Sequence, residues 1–198
     1  MPTSLRSVYE RNAQAWDRHR GRRLIERAWL DRFLAVIPAG EPVLDLGCGA
    51  GEPIARYLIE SGRELWGADF AEPMLAIARA RFPEARWVHA DMRTLDLERR
   101  FGGIVAWDSF FHLTKDEQRA AIPRLARHLV PQGALLLTVG PDDGEVTGTV
   151  EGESVYHASL SAAEYESLLR AAGLRVVDFV AEDPHCDLHS VLLGAADL

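Results

Sequence analysis

Val43-Leu44-Asp45-Leu46-Gly47-Cys48-Gly49-Ala50-Gly51-Glu52-Pro53 is the stretch on which the reading of this chain turns. Three apolar residues and one acid run into glycines at alternate positions, and a proline then opens a helical pattern. Such a run reads as a short, buried strand of a parallel sheet. The glycines let the backbone turn sharply and approach a ligand with no Cβ in the way. Pro53 suits the first turn of a helix, where its missing N–H costs nothing. The implied unit is a strand, a bare turn and a helix N-terminus facing a small ligand.

The spacing and the acid narrow the ligand. A dinucleotide fingerprint reads G-x-G-x-x-G and sets a pyrophosphate on the helix N-terminus. Here the glycines read G-x-G-x-G, and Asp45 stands two residues before the first of them. A buried carboxylate repels a pyrophosphate and attracts a cation, so the turn favours a ligand carrying an ammonium or a sulfonium. In this form the stretch resembles the first motif of the class I S-adenosylmethionine-dependent methyltransferases. The resemblance extends over nearly the whole chain, roughly from Tyr9 onward. It implies S-adenosylmethionine as cofactor, held by Asp45, Gly47, Cys48, Gly49, Gly51 and Pro53.

Composition sets the frame for that expectation. The chain has 198 residues, 47% of them hydrophobic and 26% charged, which fits one globular domain with a substantial core. A net charge of −8 disfavours a nucleic-acid backbone as the main partner and leaves a small-molecule acceptor as the expectation. The basic clusters at Arg18–Arg27 and Arg93–Arg100 read as solvated helix faces. No apolar run is long enough to span a bilayer, and Met1 to Asn12 holds no apolar signal core, so no membrane partner is expected. Two cysteines, Cys48 and Cys186, suggest a reduced, cytoplasmic protein without disulfides. The oligomeric state is not legible.

Along the chain, helical periodicity covers Leu5–His19 and Leu24–Val36, and Pro38-Ala39-Gly40 stops it. Strands then alternate with helices: strand Val43–Leu46, helix Pro53–Ile59, strand Glu64–Ala68, helix Pro73–Arg81. Strands Arg86–His89 and Ile104–Trp107 follow, then helix Asp116–Leu129, a stop at Val130–Gly133 and strand Ala134–Val139. This alternation predicts an α/β, doubly wound, mainly parallel sheet with helices on both faces. Pro141–His157 breaks the rhythm and reads as a loop with short extended pieces. Ser161 caps a helix to Ala172 with Glu164 in the capping-box place. Leu174–Ala181 and Leu188–Leu193 read as an antiparallel pair. The resemblance implies seven strands with the last one antiparallel. It also implies one domain over residues 1–198, with residues 1–37 capping the cofactor and residues 141–160 forming an insertion near the acceptor.

Further residues are candidates for the site. Asp69 ends an apolar strand at the carboxyl edge of the sheet, where an acid can accept both hydroxyls of a ribose. Asp91 stands after the next strand, so three successive strand ends carry an acid. The family resemblance assigns Asp69 the ribose, Asp91 the adenine amine and the Met92 backbone N–H the adenine ring. Phe70 and Met74 are candidates for packing on that ring, although Met74 reads equally as part of a core stripe with Leu75 and Ala78. Tyr9 and Trp16 share one face of the first helix. By resemblance, that helix closes over the methionyl end, while Trp16 reads equally as an amphipathic packing residue.

Trp107-Asp108-Ser109-Phe110-Phe111-His112 ends another apolar strand where open α/β sheets bind substrates. It resembles the fourth motif of the family's small-molecule members. That implies the Trp107 carbonyl and Asp108 at the cofactor, with Phe111 and His112 beside the methyl group. His112 is the candidate general base, since a histidine can be neutral at physiological pH; it reads equally as a backbone-paired helix-start residue. Tyr156 and His157 are candidate acceptor contacts, and His185 and His189 lie in the same half. His19 and His128 read as helix surface. Cys186 and His189 fall on opposite faces of the expected last strand, so no metal site is expected. Two further readings stay open: a nicotinamide-dependent oxidoreductase on a related fold, and a non-catalytic cofactor-binding protein.

Overall fold

The computed structural model describes residues 5–196. The expected domain bounds and the Met1–Asn12 reading therefore reach partly outside the described residues. The chain opens with α1 (Leu5–His19) and α2 (Arg27–Val36), and a βα alternation follows. It runs β1 (Val43–Leu46), α3 (Ile54–Glu60), β2 (Leu65–Asp69), α4 (Glu72–Arg81), β3 (Arg86–His89) and β4 (Phe101–Ala106). A single 3₁₀ turn, Phe110–His112, leads into α5 (Lys115–Arg127) and β5 (Leu129–Val139). A hairpin of β6 (Gly144–Val150) and β7 (Glu153–Ser159) precedes α6 (Ala162–Ala171), β8 (Leu174–Asp183) and β9 (His189–Ala196).

Seven strands form one sheet in the order β3-β2-β1-β4-β5-β9-β8. The first five pair in parallel, and β9 enters antiparallel between β5 and β8. Chain order reverses between β1 and β4, which opens a crevice beyond their carboxyl ends.

Apolar residues fill consecutive positions along the central strands because both faces are covered. Leu44, Leu46, Ile104, Leu135 and Leu137 join one core with Ile122 and Leu125 of α5 and Tyr165 of α6. Val43, Val105, Leu136 and Leu193 join the other with Leu30 and Phe33 of α2 and Leu58 of α3. Asp45 shares the second face, and it is the one acid inside β1.

Several local expectations are corrected. α2 starts at Arg27, three residues late, behind the irregular Gly21–Glu26 segment. α3 starts at Ile54, with Pro53 at its N-cap. The stop expected at Val130–Gly133 is a bulge inside β5: Leu129 pairs with Phe101 and Ala134 with Gly103. The Pro141–His157 segment holds an ordered hairpin, whose Glu151-Gly152 turn has both residues at positive φ. Glycines and exposed alternation had hidden it. Ser161 does cap α6 by accepting the Glu164 N–H, but the Glu164 carboxylate is taken by Arg119. The complete capping box belongs to Thr114 and Glu117 at the start of α5. Arg93–Arg100 lies in the irregular β3–β4 connection, not on a helix. His128 is buried: its Nδ1 donates to the Arg124 carbonyl and its Nε2 accepts the Leu97 N–H. Among the described residues, no helix is long and apolar enough to cross a membrane.

Candidate functional site

The glycine turn is held from three sides. Gly47 N–H and Cys48 N–H donate to the Ala68 carbonyl at 2.7 and 3.2 Å, tying the turn to β2. Ser109 Oγ donates to the Leu46 carbonyl at 2.8 Å, tying it to the segment after β4. Gly47 has φ +78°, and a Cβ there would fall 2.3 Å from the Ser109 Cβ. Only glycine meets both demands.

Asp69 closes the third side. Its Oδ2 accepts the Gly49 N–H at 2.9 Å and its Oδ1 accepts the Ala71 N–H at 2.7 Å. The carboxylate thus braces the turn and the start of α4 together. Burial pushes its pKa up, and the two backbone donors partly offset that.

Above the turn lies a cavity of about 760 Å³. Asp45, Gly47, Cys48, Gly49 and Gly51 line it, as do Asp69, Phe70 and Met74 from the next strand and helix. Asp91 and Met92 reach it from the end of β3, and Trp107, Asp108 and His112 from the end of β4. Tyr9 and Trp16 face it from α1, and Tyr156 from β7. Pro53, Phe111 and His157 are not part of the lining. Phe111 and His157 pack on the His112 ring at centroid distances of 4.9 and 4.8 Å, so they back the wall.

The acids differ in state. Asp45 is buried and takes no hydrogen bond from any described residue, and burial raises its pKa to about 7. Asp91 is otherwise engaged: Arg93 Nε lies 2.9 and 3.0 Å from its two oxygens, and the Arg93 N–H donates to it as well. Burial works to raise its pKa, but Arg93 outweighs this and holds it below the ordinary value. Asp108 has φ +50°, a left-handed conformation that aspartate tolerates better than most residues. Its N–H donates to Thr138 Oγ1, while its carboxylate accepts from His189 Nε2 at 2.9 Å and Arg20 Nη1 at 3.3 Å.

His112 sits between two hydrogen bonds of opposite sense. Nδ1 lies 3.1 Å from the Tyr156 carbonyl and must donate; Nε2 lies 3.0 Å from the Tyr9 hydroxyl, which donates to it. Burial drives the pKa of the ring down to about 4, so it is neutral at ordinary pH and Nε2 is left to accept the Tyr9 proton. Burial pushes the Tyr9 hydroxyl up, which keeps its proton in place.

Arg20 is the main residue that sequence reasoning did not single out. It sits just past α1, lines the cavity and donates to the Glu52 carbonyl as well as to Asp108. Within a run of five arginines from 18 to 27, no spacing marks it. His189 also escaped a specific role, and it lies behind Asp108.

Residues 43–133 match the family described as "Methyltransferase domain". The N,N-dimethyltransferase of dTDP-3-amino-3,6-dideoxy-alpha-D-glucopyranose from Streptomyces fradiae is 36% identical over 140 residues, covering 66% of this chain and 54% of that protein. The chain belongs to the class I S-adenosylmethionine-dependent methyltransferases. This class I chain is also 32% identical over 171 residues to trans-aconitate 2-methyltransferase from Methylobacterium nodulans, covering 73% of it and 62% of that enzyme. Its fold matches the S-adenosylmethionine-bound amino pentose methyltransferase CalS10 from Micromonospora echinaspora, with a TM-score of 0.73, 22% identity, and coverage of 94% and 96%. The chain spans about half the length of the first of these curated relatives.

The bare Asp45 makes a direct test of the site available. Between about pH 4 and about pH 7 the folded Asp45 holds a proton that the unfolded chain has lost, so the empty protein loses stability as pH rises through that window. A cationic ligand favours the ionised form. S-adenosylhomocysteine affinity is therefore expected to rise with pH through about 7, and Asp45→Asn should remove that rise. Calorimetric titration at several pH values checks this; an affinity indifferent to pH in the wild type would count against an ammonium beside Asp45.

Proposed function

We propose that this protein transfers a methyl group from S-adenosylmethionine to the amine nitrogen of a small molecule of the amino-sugar kind. The observation that carries the cofactor half is the buried Asp45 carboxylate with no hydrogen-bond partner among the described residues, set beneath a turn that a Cβ at Gly47 would fill. These features fit a ligand that brings a cation and needs close backbone approach. In this reading Asp45 meets the ammonium, Arg20 the carboxylate and Asp69 the ribose hydroxyls. Phe70 and Met74 flank the adenine, with Asp91 and the Met92 N–H at its edge. Arg93 must share Asp91 with the adenine amine or give it up. Gly47, Cys48, Gly49 and Gly51 form the cradle, and Trp107 and Asp108 floor the methionyl end. Pro53 only starts α3 behind it.

When bound, the cofactor supplies a methyl carbon activated by a positive sulfur. The protein's part is alignment, exclusion of water and removal of one proton. Tyr9 and Trp16 of α1 roof the cavity, and the β6–β7 hairpin closes against α1, with Arg11 and Asn12 donating to Glu153. Alignment of this kind is worth on the order of 7–11 kcal/mol. The acceptor's nitrogen lone pair would be aligned to form the new N–C bond with that methyl carbon, the C–S electron pair going to sulfur. The proton left on nitrogen passes to the Tyr9 oxygen while the Tyr9 proton moves to His112 Nε2. His112 thus serves as base through Tyr9, with Tyr156 backing it.

Amine acceptors are favoured by the names of the Streptomyces fradiae relative and of CalS10, and by a neutral histidine base at the cavity wall. Buried free thiols at Cys48 and Cys186 suit a reducing cytoplasm. The test is a methylation assay with S-adenosylmethionine across amino sugars, with trans-aconitate as the carboxylate comparison. An N-methylated amino sugar is expected. Methylation of the carboxylate alone would overturn the acceptor class, and absence of S-adenosylhomocysteine binding at millimolar ligand would overturn the cofactor.

A further inference from the structure

His189 has an acceptor on each ring nitrogen. Nδ1 lies 2.7 Å from the Cys186 carbonyl and Nε2 lies 2.9 Å from Asp108 Oδ1. A carbonyl and an ionised carboxylate only accept, so both nitrogens must carry protons and the ring is an imidazolium. His112 and His128 differ, because each has one donor among its partners and is satisfied as a neutral ring. The His189 ring also stacks on Trp107, with centroids 5.4 Å apart and planes 30° apart, and an indole face attracts a cation.

The placement follows from strand direction. Parallel strands bring their last residues to the crevice, whereas β9 runs the other way and brings its first. His189 lies outside residues 43–133, the part that matches the family.

We propose that His189 is a cationic positioning residue: it is the counter-ion of Asp108, holds that carboxylate at the cavity floor, and leaves the Arg20 guanidinium available to an anionic group of the bound cofactor. The inference rests on the reading of the cavity as the cofactor site. The contact lengths support the division of labour, since Asp108 is 2.9 Å from His189 and 3.3 Å from Arg20. The charged groups facing the ring are Asp108 after β4, Glu26 ahead of α2, and Arg20 across Asp108. Glu26 is buried with Oε2 unpartnered, and burial pushes its pKa up, so it competes weakly for the imidazolium.

The hydrogen bond to Asp108 raises the His189 pKa above its ordinary value, and burial only partly opposes this. The ring is charged at low pH and loses its charge as pH rises through that raised value. Among the described residues Asp108 then has Arg20 as its one cationic partner, and Arg20 is drawn from the ligand. Calorimetric titration with S-adenosylhomocysteine, comparing wild type with His189→Gln from about pH 6 to about pH 9, tests this. At the low end the variant is expected to bind about tenfold more weakly, and the ratio should shrink toward one at the high end. Taking the ratio cancels Asp45, which titrates in both proteins. A ratio independent of pH would mark His189 as merely structural and overturn the proposal. Nitrogen-15 spectra of the wild-type ring give a second readout: two protonated nitrogens at neutral pH are expected, and a single one overturns the proposal without any variant. Failure of the wild type to bind at every pH would instead overturn the cofactor reading, and the ring spectra would still decide the charge of His189.

Discussion

Replacing His112 with alanine is expected to slow methyl transfer by about 10²–10⁴-fold while changing S-adenosylhomocysteine affinity little. The expectation rests on the polarity of its two hydrogen bonds. Nδ1 is committed to the Tyr156 carbonyl, so the one basic lone pair is on Nε2, and Tyr9 covers it. Tyr9→Phe should therefore reproduce much of the loss in kcat, because it removes the hydroxyl through which the proton travels. Because the His112 pKa is driven to about 4, the base is already neutral at ordinary pH. Its contribution to rate should be flat from about pH 6 upward and fall only as pH drops toward 4. Single-turnover rates with saturating S-adenosylmethionine measure this. A full-rate His112→Ala enzyme would leave alignment as the whole of the catalysis.

Asp69→Asn should weaken S-adenosylhomocysteine binding by about 10²–10⁴-fold, since two hydrogen bonds to a charged group are worth roughly 1.5–3 kcal/mol each. The same carboxylate accepts the Gly49 and Ala71 N–H groups, so the substitution also reaches the empty protein. An asparagine keeps one oxygen and turns an amide N–H₂ toward the other donor. That mismatch costs about 1–3 kcal/mol and should lower Tm without unfolding the chain. Affinity measured well below the new Tm separates the two effects. Wild-type affinity there would refute the ribose assignment.

The central sheet was legible for a plain reason. Buried parallel strands need apolar residues on both faces, and Val43–Leu46 and Ala134–Val139 have them in unbroken runs apart from Asp45 and Thr138. The strand ends were legible too, because an acid closing an apolar run, as at Asp69, has no packing motive. What escaped was anything set by partners far along the chain. The β6–β7 hairpin shows mostly exposed residues on β6, so its pattern carries no core signal. Arg20 is set apart from its four arginine neighbours by reaching Asp108, 88 residues away. Asp91 was read as an open acceptor, and the arginine two residues on that engages it was read as helix surface. The two readings of His112 turned out compatible: it is paired to backbone at one nitrogen and faces the cavity with the other side of the ring. The state of His189 was invisible, since it depends on two acceptors supplied by separate turns.

The antiparallel entry of β9 has a consequence for synthesis. A ribosome releases the glycine turn, Asp45 and Asp69 long before it reaches residue 189. The segment that holds β1 to β5, with the glycine cradle at its edge, precedes β9 in the chain. Asp108 then waits without its imidazolium until the last strand slides in beside β5. Arrival of β9 and electrostatic completion of the cradle are thus one event, and a chain lacking β9 would carry the recognisable motif with its charges out of balance.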